Sequence, residues 1–170
     1  MNEDIQRKSW PEDKEKRYLL LFEQLSALLD GEMHPLPVLA NTAALLWQAV
    51  PDINWAGFYL NTGKEELLLG PFQGKAACIR IPFSRGVCGA AAREERTQLV
   101  RDVHQFPGHI ACDSASNSEI VVPLMHGGQL MGVLDIDSPL VGRFDADDRT
   151  GLERIAAMLS RSCRWEDWRL

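Results

Sequence analysis

Long apolar runs are missing from this 170-residue sequence, and so is any surplus of positive charge. No stretch approaches the roughly 18 consecutive apolar residues of a membrane span. The segment from Met1 to Lys16 is highly charged and lacks the apolar centre of a secretory leader. Eighteen Lys and Arg stand against 24 Asp and Glu, a net charge of −6, which is the wrong sign for a surface that must neutralise phosphates. Neither nucleic acid nor membrane is therefore expected as a partner. Cysteine is sparse, four in all, and the spacings of 10 and 24 residues between Cys78, Cys88 and Cys112 contain no Cys-x-x-Cys or His-x-Cys pair. That argues against a structural zinc site, and no metal or other cofactor is expected. Without an export signal, four thiols point to a reducing compartment, the cytoplasm, where stable structural disulfides are rare. Internal repeats and low-complexity segments are also missing.

The length suits one domain with a full core, and a 45% hydrophobic fraction is ordinary for a globular protein. Residues 1–11 read as a polar, loosely held lead-in. Apolar residues recur at helical spacing from Glu12 to Leu29, with Gly31 as a stop. Pro35 to Pro37 then breaks the chain before a second helix from Val38 to Val50. Both helices are suited to covering a sheet or meeting a second subunit. Ile53–Leu60 and Glu66–Leu69 read as a hairpin, Ile79–Ile81 and Thr97–Val100 as short strands, and Ala90–Glu94 as a short helix. Gly86 and Gly89 permit close backbone approach, and the free N–H groups of that helix start suit an anion such as a carboxylate. Arg101–Ser118 is a loop long enough to be functional or disordered. Ser118–Met125 and Gln129–Asp137 form a hairpin across Gly127-Gly128. Asp145 caps the last helix, Ala146 to Cys163. A tail with Trp165 and Trp168 follows, a candidate for docking on a partner subunit.

The predicted fold class is α+β: a mostly antiparallel sheet of five or six strands, helices packed on one face and a ligand pocket on the other. Three parts are expected along the chain: lead-in and helix over 1–34, the main domain over 35–163, and the tail over 164–170.

The stretch Gly108-His-Ile-Ala-Cys112-Asp-Ser-Ala-Ser-Asn-Ser-Glu119 carries the chemistry. Its thiol sits among small and polar residues, where packing alone does not account for it. Cys78 and Cys88 lie in similar Gly-rich settings, whereas Cys163, near a helix end, reads as a packing or surface thiol. Strand alternation puts Asp135 and Asp137 on one face with Val133, and Leu134 and Ile136 on the other. Such acids belong either to a solvated face or to the lining of a pocket. With a two-residue turn at Gly127-Gly128, Met125 pairs with Leu130 and Glu119 falls opposite Ile136, on the face away from the two aspartates. A one-residue bulge, an odd-length loop, or Glu119 lying just ahead of the strand would bring it to their side. Trp55 and Tyr59 share a face with Gly57 between them, leaving either a notch between two aromatics or ordinary core packing.

The segments Asn54-Trp-Ala-Gly-Phe-Tyr59, Gly70-Pro-Phe-Gln-Gly74, Arg85-Gly-Val-Cys-Gly89, His109-Ile-Ala-Cys112, Ser116-Asn-Ser-Glu-Ile120 and Gly132-Val-Leu-Asp-Ile-Asp-Ser138 resemble the free methionine-(R)-sulfoxide reductases, catalytic members of the GAF-domain superfamily. The resemblance runs from about residue 38 to 160. It implies Cys112 as nucleophile, Cys78 as the main resolving thiol and Cys88 as a secondary partner. It also implies that Trp55 and Tyr59 border the methyl-sulfur end of the substrate. Glu119, Asp135 and Asp137 would bind polar groups and handle the sulfoxide oxygen. A homodimer and recycling by thioredoxin are implied as well, and the stereochemical preference rests on the resemblance alone. The residues permit that chemistry independently: one thiol attacks sulfur while an acid protonates oxygen, and a second thiol turns the sulfenic acid into a disulfide. The rival expectation is a non-catalytic GAF-type sensor of a small ligand or of redox state. His109 is left open between a catalytic role and a loop hydrogen bond.

Overall fold

The computed structural model describes residues 10–110 and 112–168. The expected lead-in lies outside the described residues except for Trp10 and Pro11, and Trp10 packs against the core. Helix α1 spans Lys14–Leu28, and the Asp13 carboxylate accepts from the Lys16 N–H at 2.9 Å. Helix α2 spans Pro35–Ala49 and begins earlier than expected. Pro35 and Pro37 do not break the chain but occupy its first turn, where a missing N–H costs nothing and φ is already helical. His34 Nδ1 accepts from the Leu36 N–H at 3.2 Å and caps that turn.

Six strands follow: β1 Trp55–Asn61, β2 Glu66–Gly74, β3 Arg80–Pro82, β4 Gln98–Val100, β5 Ser118–His126 and β6 Gln129–Ser138. They form one antiparallel sheet in the order β3-β2-β1-β6-β5-β4. Helix α3, Gly86–Glu94, lies between β3 and β4, and helix α4, Ala146–Ser162, closes the fold. The long connection before β5 is not wholly irregular, because a short 3-10 turn occupies Val103–Gln105. Asp145 and Asp148 form a reciprocal capping box at the start of α4. The fully buried Asp148 also accepts from Tyr18 Oη at 2.9 Å and pairs with Lys14 at 2.6 Å. This ties α1 to the entry of α4.

Alternation along the strands divides the molecule into two cores. Ala56, Phe58 and Leu60 of β1, Ile120, Val122 and Leu124 of β5, and Leu134 and Ile136 of β6 pack against α1, α2 and α4. Trp55 and Tyr59, Val121 and Val133 face the other way, toward α3 and the loops. The tail tryptophans belong to the first core: Trp165 is buried there and donates to the Ser160 carbonyl at 3.1 Å, and Trp168 packs beside it. They dock on their own chain, because the turn at Trp165–Asp167 folds the tail back under α4.

Candidate active site

The second face of the sheet carries the acids. The Gly127-Gly128 turn pairs Met125 with Leu130, but the register shifts between Leu124 and Met125, so that Leu124 pairs with Gly132. Met131 is the extra residue, a β-bulge in β6. Beyond it Glu119 pairs with Asp137 and Val121 with Asp135. The bulge turns Glu119 from the helix-covered face to the side of the two aspartates. A close approach is built in here, since a Cβ on Gly132 would lie 2.4 Å from the Tyr59 carbonyl oxygen.

A cleft with about 520 Å³ of empty space, partly open to solvent, is lined by Cys88, Cys112, Glu119, Asp135, Asp137, His109, Trp55 and Tyr59. Most of that space is open to solvent: the cavity proper is about 30 Å³, well below the roughly 300–1,000 Å³ of small-molecule sites. Cys78 and Cys112 form a disulfide, which joins the loop between β2 and β3 to the loop before β5. Both sulfurs belong to residues that are neither fully buried nor fully exposed. Cys88 differs from expectation. It sits in the first turn of α3, not in a loop, and is 3% exposed. Its sulfur approaches Glu119 Oε1 at 3.9 Å, and Cys88, Glu119 and Asp135 place donor atoms within 4.8 Å of one another.

Burial sets the electrostatics. It pushes the carboxyl groups of Glu119 and Asp137 well above the usual range, and the nearby Asp135 adds to the effect in both. Asp135 is raised to about 6, again by burial. The Cys88 thiol is pushed up by burial and then by Asp135 and Glu119. Among the described residues no Lys or Arg pairs with these three acids. One oxygen of Asp135, a residue only 5% exposed, has no hydrogen-bond partner. An arrangement of this kind can lend a proton to a developing oxyanion or receive a cationic group.

The aromatic notch is filled by the protein itself. The Trp55 ring folds over Gly57 and stacks on Tyr59 and Phe72, with centroids 5.7 and 5.2 Å apart. Trp55 Nε1 donates to the Lys75 carbonyl at 3.1 Å and Tyr59 Oη to that of Cys78 at 3.0 Å. The two rings thus fix the loop that carries Cys78. A ligand can meet their edges but cannot enter between them.

Two features were outside the reach of sequence reasoning. His109 Nε2 lies 3.8 Å from Glu119 Oε2, and burial lowers the affinity of the ring for a proton. The Cys112 loop is latched to β1's approach: Asn54 Nδ2 donates to Asp113 Oδ2 at 3.2 Å and to Ser116 Oγ at 3.0 Å. Asp113 Oδ1 also accepts from the Ala115 N–H at 2.9 Å. That local turn is the one part a sequence could signal, through Asp followed by small residues. At α3, Arg85 supplies no side-chain cap. The Gly86 N–H bonds the Gly108 carbonyl at 3.0 Å, and Ile110 covers Gly86.

A family model described as "GAF domain" matches residues 39–161. The free methionine-R-sulfoxide reductase of Escherichia coli (strain K12) is 51% identical over 157 residues, covering 92% of this chain and 94% of that protein. The protein of the same name from Saccharomyces cerevisiae is 46% identical, covering 87% and 84%. The structure of free methionine-R-sulfoxide reductase from Neisseria meningitidis in complex with its substrate superposes with a TM-score of 0.86 at 45% identity, covering 92% of this chain and 93% of that one. With a family match across most of its length and relatives this similar, the chain belongs to the GAF domain family and, within it, to the free methionine-R-sulfoxide reductases.

Proposed function

We propose that the protein reduces free methionine (R)-sulfoxide to methionine with its own thiols and is reset by thioredoxin. The observation that carries the reading is the position of the Cys78–Cys112 disulfide at the mouth of a cleft floored by protonatable acids. In the first step the Cys112 sulfur attacks the sulfoxide sulfur and the oxygen moves to it. Methionine and a cysteine sulfenic acid result, with Glu119 or Asp135 holding the proton that the oxygen takes up. In the second, the Cys78 thiol displaces water from the sulfenic acid and the disulfide forms. Two thiol exchanges with an external dithiol then restore both cysteines. Cys88 serves as a reserve partner. The substrate ammonium is received by the acids, its carboxylate by backbone N–H groups at the start of α3, and its methyl end by the edges of Trp55 and Tyr59.

Ile79, 68% exposed beside Cys78, supports access by a protein reductant. A homodimer is supported by the exposed Leu19, Leu28, Met33, Leu36 and Trp47 on and around α1 and α2. We place the protein in the cytoplasm and read 35–163 as the catalytic unit, with 1–34 and 164–170 flanking it. In the described residues no helix is long and apolar enough to cross a membrane.

The test is to supply reduced protein with one equivalent of free methionine sulfoxide of each configuration. One methionine per chain from the R form is expected, with a Cys78–Cys112 disulfide on peptide mapping. Turnover should follow with thioredoxin and vanish in Cys112→Ser, a loss on the order of 10³-fold or more. Binding without methionine release would instead identify a sensor.

A further inference from the structure

The cleft holds a donor set that the reductase reading does not require as a set. Cys88 Sγ, a Glu119 carboxylate oxygen and an Asp135 carboxylate oxygen lie within 4.8 Å of one another, and all three residues are buried. His109 Nε2 stands 3.8 Å from Glu119 Oε2 and lies outside this set. One Asp135 oxygen is buried in the cleft without a partner. No Lys or Arg among the described residues offsets the acids. We infer that Cys88, Glu119 and Asp135 form a three-donor binding site for a borderline-soft divalent cation such as Zn²⁺, with the fourth position open.

The geometry and the donor types favour that ion. Zinc takes thiolate, imidazole and carboxylate ligands in a tetrahedron, with bonds near 2.0–2.3 Å, which spaces neighbouring donors by about 3.3–3.6 Å. The contact already present between Cys88 and Glu119, 3.9 Å, is within a few tenths of an ångström of that, and the donors of the set lie within 4.8 Å of one another. Calcium and magnesium are disfavoured by the thiol, since both prefer oxygen alone. The sequence gives no warning because the ligands come from α3, β5 and β6, without a paired-cysteine motif. The site needs neither catalytic thiol and so persists in the disulfide form. On the functional reading above, the cation occupies the seat of the sulfoxide's polar groups and competes with it.

The disulfide form of the full chain, freed of metal by chelator and dialysis, is titrated with Co²⁺ and then with Zn²⁺. One ion per chain is expected, with a thiolate-to-cobalt charge-transfer band that Zn²⁺ removes. Cys88→Ser should abolish the band. Asp135→Asn should weaken binding beyond the roughly 10–100-fold that loss of an outer-shell partner costs. Cys163→Ser, at the free thiol in the other core, should bind as wild type. No stoichiometric uptake by the wild-type chain, uptake without a sulfur band, or a band lost in Cys163→Ser would each overturn the site. The titration involves no turnover, so its outcome is independent of the reductase reading. Inhibition of methionine formation by Zn²⁺, relieved by excess sulfoxide, tests the shared seat.

Discussion

The two faces of β6 take alternate residues of one five-residue run, 133–137, and do opposite work. Leu134 and Ile136 meet α1, α2 and α4 in a core where nearly every neighbour is apolar. On the other side Val133 packs in the second core, while Asp135 and Asp137 look into a cleft where buried carboxyl groups crowd one another and one oxygen stays unpartnered. One face gains from excluding water, at about 25 cal/mol for each Å² of apolar surface. The other bears the cost of burying acids, and that burial pushes their carboxyl groups upward. Stability and reactivity are thus divided across the thickness of a single sheet.

The sharpest way to break that division is to remove Met131. Without the bulge, Glu119 would face the helices and an apolar neighbour would enter the cleft. Turnover should fall by at least the roughly 10²–10⁴-fold that a lost general acid costs, and denaturant melts should show a destabilised chain. Retained turnover would mean that the bulge is not what sets the acids together. Glu119→Gln tests the cleft alone: a similar loss in methionine formation is expected with an unchanged or raised melting temperature, because a buried acid is replaced by a neutral group. Leu134→Ala tests the opposite face. A stability loss of about 2–5 kcal/mol is expected by denaturant titration, with near-normal turnover per folded molecule.

The smallest effect concerns pH. Asp135 is raised from 3.8 to about 6, so the folded chain holds this proton more tightly than the unfolded chain does. Its contribution to stability is complete below 3.8 and is lost as pH rises through about 6. Thermal melts should therefore show stability falling across that window, and Asp135→Asn should flatten the fall. The groups facing it are Glu119 from β5, Cys88 from α3 and Asp137 from β6, and the raised carboxyl groups of Glu119 and Asp137 extend the decline to higher pH.

Helix and strand identities were legible in the chain because they rest on local periodicity. Asp145 as cap of α4 and Asp135 with Asp137 on one face follow from that alone. The prolines at the start of α2 read as a break but begin the helix, because proline both ends and begins helices and the choice depends on what lies upstream. Cys88 reads as lying just ahead of a helix over Ala90–Glu94, because its flanking glycines suggest a turn. The helix reaches back to Gly86, whose φ of +72° a glycine adopts freely.

What the sequence determined by itself is the inventory: three thiols beside small residues, three carboxylates near strand ends, and two alternating faces with different tasks. Only the tertiary structure decided which of these meet. The shift at Met131, the Trp55 ring closing over Gly57, and His109 against Glu119 depend on contacts between segments far apart in the chain. No local preference encodes them, because the energy that fixes each comes from a neighbour the segment cannot specify alone.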